Sequence, residues 1–584
     1  MFSCLFTKVM KPLDRTYLLD KLWELQNAHG YLSEADMVQV AGEFGISPVD
    51  VEGVVSFYHF FHRQATGKYI IYLNNSVLSW FHGFDQVKAA FVKETGAALG
   101  GVDPTDTFGF FETSCIGLSD REPAALINFY PFTKLTPQKV KRIINGLKNG
   151  KSPAELADTV EEKVRYKPGK DKAILFREFE PGKALEKMKG FTPDQVINLI
   201  KDSGLSGRGG AFFPTGTKWE LARKAKGKLK YIVCNADEGE PGTFKDRALL
   251  NLLPGLLLEG MLVAGYAVGA TKGIIYLRAE YKWLLPKLED ALTEYRRKGY
   301  LETPIPYLSN FKFSIRVQLG AGAYICGEET ALLESMEGKR GEPRLKTFFP
   351  TDRGFRSRPT VVNNVETFCA AARILELGVD KFKTLGIARV STGTKLLSIA
   401  GDCERPGLYE IEWGMTLGEL LDKCGALNPA FIQMSGPSGE LLAASEKDRV
   451  LSCEDIRCGG SVMIFSAQRN LFTILHNFSG FFTQESCGLC TPCRAGNPQL
   501  LQLLEKLNRG HATSSDLDKL LQWSAIIKHN SRCGLGQTAP NSIEQAIHKF
   551  PQLFRGKLVQ ESVLNPEFDL KKATRTYDQL THEE

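Results

Sequence analysis

Apolar residues recur at helical spacing through about the first 65 positions, as in TYLLDKLWELQNAHGYLS, which predicts helices along that segment. Ser33 and Ser47 each stand just ahead of an apolar periodic run, where a serine caps a helix. From Lys68 the pattern shortens. KYIIYL predicts a strand, residues 85–94 a helix and FGFFETS a second strand, so residues 66–150 read as a small sheet with helices. Residues 151–190 are highly charged and weakly periodic, the pattern of a linker lying over the surface. Periodicity returns in TPDQVINLIKDSG, and KYIVCNADEGEPG then predicts a strand running into an acidic loop. Strand, loop and helix repeat as far as Asn310, so residues 191–393 predict an α/β sheet with ligand loops at the carboxyl ends of its strands. Short strands with Gly/Pro turns fill residues 394–470, helices fill 471–564, and a polar tail at 565–584 is expected to be loosely ordered or ordered by a partner.

The longest apolar region, NLLPGLLLEGMLVAGYAVGATKGIIYL, is interrupted by Pro254, Glu259 and several glycines. It predicts a buried helix followed by a strand and no membrane span. At 584 residues the chain has room for several domains, and 43% apolar and 24% charged residues are ordinary for soluble globular protein. A net charge of +6 over that length gives no footing for nucleic acid. The first residues show no signal-peptide pattern, and the expectation is a soluble, cytoplasmic protein.

Thirteen cysteines are unevenly spread: Cys487, Cys490 and Cys493 cluster while most others are isolated among apolar residues. That is a metal-site pattern in a reducing compartment, not a disulfide framework. ESCGLCTPCR supplies CxxCxxC, and Cys533 in SRCGLG returns a fourth thiolate from the far side of a helical hairpin. Three closely spaced cysteines and one remote one suit a [4Fe-4S] cube, with zinc the rival. Arg494 is placed to tune its potential. Cys453 and Cys458 lack a second pair at ligand spacing and read as structural.

Three stretches combine glycines with charge: SGRGGAFFPTGTKW at 206–219, CNADEGEPGTFKD at 234–246 and GAYICGEETALLE at 322–334. Gly207, Gly209, Gly210 and Gly216 allow close backbone approach to a flat or phosphorylated ligand, with Arg208 and Lys218 as the basic groups. These stretches read as a flavin and dinucleotide site.

Their order, ending in the two cysteine motifs, resembles the flavin-carrying NADH-oxidising subunit of respiratory complex I and its relatives, from roughly Lys201 to about Phe554. Those relatives include the diaphorase subunits of NAD-reducing hydrogenases and of NAD-linked formate dehydrogenases. The resemblance implies FMN contacts at Gly207, Arg208, Gly209, Gly210 and Lys218, and ribityl and isoalloxazine-edge contacts at Asn235, Asp237 and Glu238. It implies phosphate-side contacts at Asn363 and Asn364. For NAD(H) it points to Phe213, Glu240, Lys346 and Phe349, with Gly327, Glu328 and Glu329 beside the cavity. Carboxylates that accept from ribose hydroxyls suit NAD and repel the extra phosphate of NADP. No side chain is assigned as a catalytic acid or base. Phe212 departs from the pattern, standing where a small glycine is usual.

The implied architecture is multidomain α/β and α: a thioredoxin-like N-terminal domain, an α/β flavin- and NAD-binding domain, a small ubiquitin-like β-grasp module of the soluble-ligand-binding type, and a helical iron-sulfur domain. In the thioredoxin-like family four cysteines hold a [2Fe-2S] cluster. Here those positions fall on Asn74, Ser79, Cys115 and Ser119, so the expectation is that the domain has lost that cluster. The fused N-terminal domain most resembles the diaphorase subunit of a soluble NAD-reducing [NiFe] hydrogenase. That implies a small iron-sulfur electron-transfer subunit and [NiFe] hydrogenase subunits as partners, and reversible hydride transfer between NAD(H) and FMN with single electrons passing to the [4Fe-4S] cluster. The alternatives are the flavin subunit of a formate dehydrogenase or of complex I and, from another class, a non-catalytic zinc-stapled assembly scaffold.

Overall fold

The computed structural model describes residues 12–169, 172–388 and 391–560. The expectations for the first residues and for the tail at 565–584 lie outside the described residues. Helices Leu18–His29, Glu34–Phe44 and Pro48–Val55 open the chain. Ser33 and Ser47 cap the second and third through reciprocal bonds with Asp36 and Asp50.

The first sheet orders its strands Gly101–Val102, Phe108–Thr113, Tyr69–Asn74, Ala125–Ile127 and Tyr130–Phe132. Side chains alternate across it, as strand geometry requires. Ile71 and Leu73 pack on helices Phe84–Thr95 and Pro137–Lys148, while Tyr72 faces the opposite way into a core shared with the N-terminal helices.

The second sheet, Thr360–Asn364, Tyr231–Ala236, Lys272–Leu277 and Ser314–Leu319, is wholly parallel. A parallel sheet needs cover on both faces. Ile232, Cys234, Ile275 and Leu277 meet the buried helix Pro254–Val268 and helix Val365–Leu377 on one side. The other side, with Tyr231, Val233, Ile274 and Tyr276, is covered by the N-terminal helices. Trp23 Nε1 donates to the Gly320 carbonyl at 3.0 Å, and the Phe60 N–H to Ala321 at 3.0 Å. The N-terminal helices therefore form a covering layer of this second sheet.

The third sheet runs Glu440–Ala443, Pro429–Met434, Ser461–Ser466, Thr394–Gly401, Gly407–Glu412 and Val164–Tyr166. Its last strand comes from the segment read as a surface linker, and that reading is corrected. The few apolar residues of that segment are core: Ile174, Leu175, Ala184, Leu185 and Met188 are buried. The buried Glu410 carboxylate accepts the N–H groups of Ile174, Leu175 and Phe176 at 2.7, 2.8 and 3.1 Å. High charge on the outward side chains hid a short apolar code.

Helices Leu471–Glu485, Thr491–Asn508, Ser514–Asn530 and Asn541–Lys549 pack around Leu500, Leu504, Leu520, Ile527 and Ile543. Among the described residues no single helix is long and apolar enough to cross a membrane.

Candidate functional site

The glycine loop follows helix Pro193–Asp202 and is closed by the Gly207 N–H on the Phe213 carbonyl at 2.9 Å. Gly210 takes φ +111°, a backbone that side-chain-bearing residues avoid, and a Cβ at Gly209 would lie 3.2 Å from that of Asn364. Phe212 also adopts a left-handed φ of 55°, the conformation that explains why a glycine suits this position. Its ring meets Trp413 edge-on, 6.2 Å between centroids.

Arg208 is committed to the fold. Its buried guanidinium donates to Ser206 Oγ at 3.1 Å and to the Thr392 carbonyl at 2.6 Å, and lies over the Trp413 ring. Lys218 Nζ, by contrast, stands between Glu329 Oε2 at 3.2 Å and the Val362 carbonyl at 3.1 Å, with the Phe213 ring 5.9 Å away. Loop, lysine, aromatic and carboxylate are thus brought together.

The acidic loop leaves the end of strand Tyr231–Ala236. Asn235 Nδ2 donates to the Gly327 carbonyl at 2.8 Å, and Asn235 Oδ1 accepts from the Asp237 N–H at 3.0 Å. Asp237 Oδ2 is buried without a partner, and burial holds this carboxyl well above the usual carboxylate range. A buried acceptor left open is what a ligand donor would satisfy. Glu238 is already occupied: it accepts from the N–H groups of Asp246 and Arg247 at 2.7 and 3.0 Å and from Tyr281 Oη at 2.8 Å. Burial, with Asp246 adding repulsion, pushes it up to about 7. Glu240 is likewise pushed up to about 7 by burial. It accepts from the Tyr324 hydroxyl and from the Ser438 N–H, the latter at 3.1 Å.

Glu328 caps helix Glu329–Met336, accepting from the Thr330 and Ala331 N–H groups at 2.9 Å each. Asn363 Oδ1 accepts from Trp219 Nε1 at 2.9 Å. Asn364, opposite Gly209, donates to Asp246 Oδ2 at 2.6 Å and accepts from Lys245 Nζ at 3.1 Å. Lys346 and Phe349 lie on an exposed stretch, Phe349 65% exposed.

Sequence reasoning passed over Lys245, a buried cation between Asp246 at 2.6 Å and Glu366 at 3.1 Å. It also passed over Tyr324. Both sit inside the motifs already singled out, one residue type away from the glycines and acids that drew attention. Arg247 and Arg278 were missed too. Arg247 pairs with Asp120 at 3.2 Å and Glu162 at 2.7 Å, and Arg278 donates to the Cys115 carbonyl at 2.7 Å. Together they clamp the Cys115 loop onto the acidic loop. A cavity of about 1400 Å³ opens beside them, lined by His59, Asp237, Arg278, Tyr324 and Cys487 among others.

In the helical domain Cys493 and Cys533 are buried, with Cys487 and Cys490 half-buried against the same apolar core. Burial pushes the Cys493 thiol up to about 11, and its cysteine neighbours Cys490, Cys533 and Cys487 add to this. Burial also raises Cys487 and Cys533. Asn497 Nδ2 and Ser486 Oγ reach Cys493 Sγ at 3.4 and 3.3 Å. Gly536 passes so close that a Cβ there would be 3.2 Å from the Cys493 Cβ. Among the described residues no three His, Cys, Asp or Glu side chains close around a single metal ion. Four soft donors over one apolar floor are a ligand set that suits an iron-sulfur cluster. Cys458 donates to the Ser461 carbonyl at 3.4 Å and Cys453 is buried, both within the small sheet.

A parallel sheet with glycine and acid loops at its strand ends, joined to a four-thiol helical domain, defines a flavin and iron-sulfur electron-transfer protein. Comparison with known proteins narrows the class. Residues 200–373 match the Nuo51 FMN-binding domain, and residues 473–557 the iron-sulfur binding region of NADH-ubiquinone oxidoreductase-F. Residues 7–148 match the thioredoxin-like [2Fe-2S] ferredoxin family. The alpha subunit of the NAD-reducing hydrogenase HoxS of Cupriavidus necator is 47% identical over 97% of this chain and 96% of its own. The HndC subunit of the NADP-reducing hydrogenase of Solidesulfovibrio fructosivorans is 42% identical over 65% of this chain and 79% of its own. The F subunit of the NADH-quinone oxidoreductase of Aquifex aeolicus is 40% identical over 63% of this chain and 87% of its own. A crystal structure of an NAD+-reducing [NiFe]-hydrogenase in the H2-reduced state superposes with a TM-score of 0.89 at 35% identity, covering 97% of both chains. The chain belongs to the family of the NAD-reducing hydrogenase alpha subunits, which is related to the F subunits of NADH-quinone oxidoreductases.

One expectation is overturned. The N-terminal domain was expected to have lost its [2Fe-2S] cluster, but residues 7–148 fall in the [2Fe-2S] thioredoxin-like family. The expectation weighed four aligned positions, of which Cys115 lies 3.5 Å from Ser119 Oγ, whereas the match weighs the pattern of the whole domain.

Proposed function

We propose that this chain is the diaphorase subunit of an NAD-reducing [NiFe] hydrogenase, an NAD-dependent flavin and iron-sulfur oxidoreductase working in a cytoplasmic complex with hydrogenase and small iron-sulfur subunits. The observation that carries this reading is the extent of the likeness: the hydrogenase alpha subunit matches 97% of the chain, N-terminal domain included. The quinone-oxidoreductase relative from Aquifex aeolicus matches 63%. That difference also favours the hydrogenase over the complex I alternative.

Bound FMN would supply hydride exchange with NAD(H) and one-electron release, and Cys487, Cys490, Cys493 and Cys533 would hold a [4Fe-4S] cluster able to accept single electrons. The protein's part is positioning and charge. The backbone at Gly207, Gly209 and Gly210 would admit the flavin against Asn364, and the open Asp237 carboxyl, positioned by Asn235, would hold its polar edge. Lys218, tied to Glu329, places positive charge there. Glu240 receives the ribose of NAD(H), while Phe213, Lys346 and Phe349 form the outer lip. Arg208, Glu238, Glu328 and Asn363 act behind these groups, since their side chains are bonded within the fold. The strands and turns of residues 394–470 fit a ubiquitin-like β-grasp module. The match of residues 473–557 to the iron-sulfur binding region of NADH-ubiquinone oxidoreductase-F favours a cluster over the zinc of a scaffold.

The test is NADH:ferricyanide activity with flavin and iron analysis of the purified protein. FMN-dependent NADH oxidation supports the reading; a colourless zinc protein contradicts it.

A further inference from the structure

The third sheet, built mostly from residues 394–470, held no assigned chemistry, yet it touches the acidic loop repeatedly. The Ser398 Oγ accepts from the Phe244 N–H at 2.9 Å, and Ser461 Oγ donates to the Pro241 carbonyl at 3.1 Å. Its turn at residues 435–439 goes further. The Ser438 N–H donates to Glu240 Oε1 at 3.1 Å. Gly436, at φ +63°, lies so close that a Cβ there would stand 2.4 Å from Glu240 Oε1 and 2.6 Å from its Cγ. The turn is held from behind: Ser542 Oγ donates to the Pro437 carbonyl at 3.0 Å and reaches Gln433 Oε1 at 3.2 Å, and Asn541 Nδ2 donates to the Ser438 carbonyl at 3.0 Å. Gln433 Nε2 closes it on the Gly436 carbonyl at 2.7 Å.

We infer that the turn at residues 435–439 is a positioning element for dinucleotide choice: the Ser438 N–H and the bare Cα of Gly436 fix the Glu240 carboxylate where it meets the ribose of NAD(H). This rests on the reading of Glu240 given above. A carboxylate that accepts from the ribose 2′-hydroxyl disfavours the extra phosphate of NADP, and the more firmly it is positioned the less it can move aside. The Tyr324 hydroxyl holds one oxygen and the turn holds the other, so rotation away from the ligand breaks a bond at either end.

The experiment is a double-mutant cycle on the flavin-loaded protein, with KM for NADH and NADPH measured using ferricyanide, and FMN content determined for each variant. Gly436→Ala is expected to raise the NADH KM about tenfold and to lower the NADH-over-NADPH preference with FMN retained, as a displaced positioning group does. In a Glu240→Ala background the same change is expected to move the preference by less than about twofold, because coupled residues are not additive. If Gly436→Ala leaves the preference intact, or shifts it equally without Glu240, the inference is overturned. If Glu240→Ala itself changes nothing, the assignment of Glu240 fails instead. Should Gly436→Ala not fold, Ser542→Ala decides, since it loosens the turn without adding atoms. A Glu240-dependent shift in preference supports the inference, and an unchanged preference overturns it.

Discussion

Four thiols in the C-terminal hairpin come from one short CxxCxxC turn and one returning residue, and burial leaves Cys493 up at about 11. The acid-and-glycine site draws on residues from 207 to 364 and on a turn of a separate sheet, and many of its polar side chains are already bonded within the protein. The difference teaches where each site is vulnerable. A thiol set depends on every donor, because the metal supplies the missing bonds. A preorganised polar site shares its load, and many of its residues act through others.

Cys533→Ser should have the largest effect. It removes one of four donors, and the [4Fe-4S] signal is expected to vanish from EPR with electron delivery to partner subunits falling by orders of magnitude, while flavin-dependent ferricyanide reduction persists. Arg247→Ala attacks the other region where it is most interlocked. It strands the buried Glu162 without its cation and leaves Asp120 with Arg121 alone, and denaturant unfolding is expected to show a loss of about 3–5 kcal/mol. Glu240→Gln is milder. A hydrogen bond to a charged group is worth about 1.5–3 kcal/mol, so NADH KM should rise by roughly ten- to a hundredfold.

The pH dependence sharpens that third case. Glu240 ionises near 7 in the fold, so the wild-type NADH KM is expected to fall as pH rises through about 7, and Glu240→Gln to flatten that profile. For stability the sign is opposite. A carboxyl raised from 4.5 to about 7 holds its proton in the folded state after the unfolded chain has lost it. Its contribution therefore declines as pH rises across that window and is constant above it. The smallest effect is expected far from both sites: Ser33→Ala removes a helix cap and should cost about 1 kcal/mol in thermal or denaturant unfolding.

How much of this was legible in the sequence follows the same division. The cysteine spacing displayed the thiol set directly, because local ligands leave a local motif. The helix caps at Ser33 and Ser47, the buried helix Pro254–Val268 and the strand entering the acidic loop were also readable, each being set by neighbours along the chain. Arg208 and Glu238 were singled out as flavin contacts, whereas their partners Thr392, Tyr281 and the Asp246 N–H are brought in by the tertiary fold. The edge strand Val164–Tyr166 was invisible because three residues amid heavy charge leave no period to read. The contact between Gly436 and Glu240 spans nearly two hundred positions, and no local pattern announces it.

The most direct test of the account is an anaerobic NADH titration of the flavin- and cluster-loaded protein, followed by absorbance and EPR in the wild type and in Cys533→Ser. The account predicts that NADH bleaches the flavin in both proteins and raises a [4Fe-4S] signal in the wild type alone. Flavin that NADH fails to bleach, or an undiminished [4Fe-4S] signal in the variant, would contradict it.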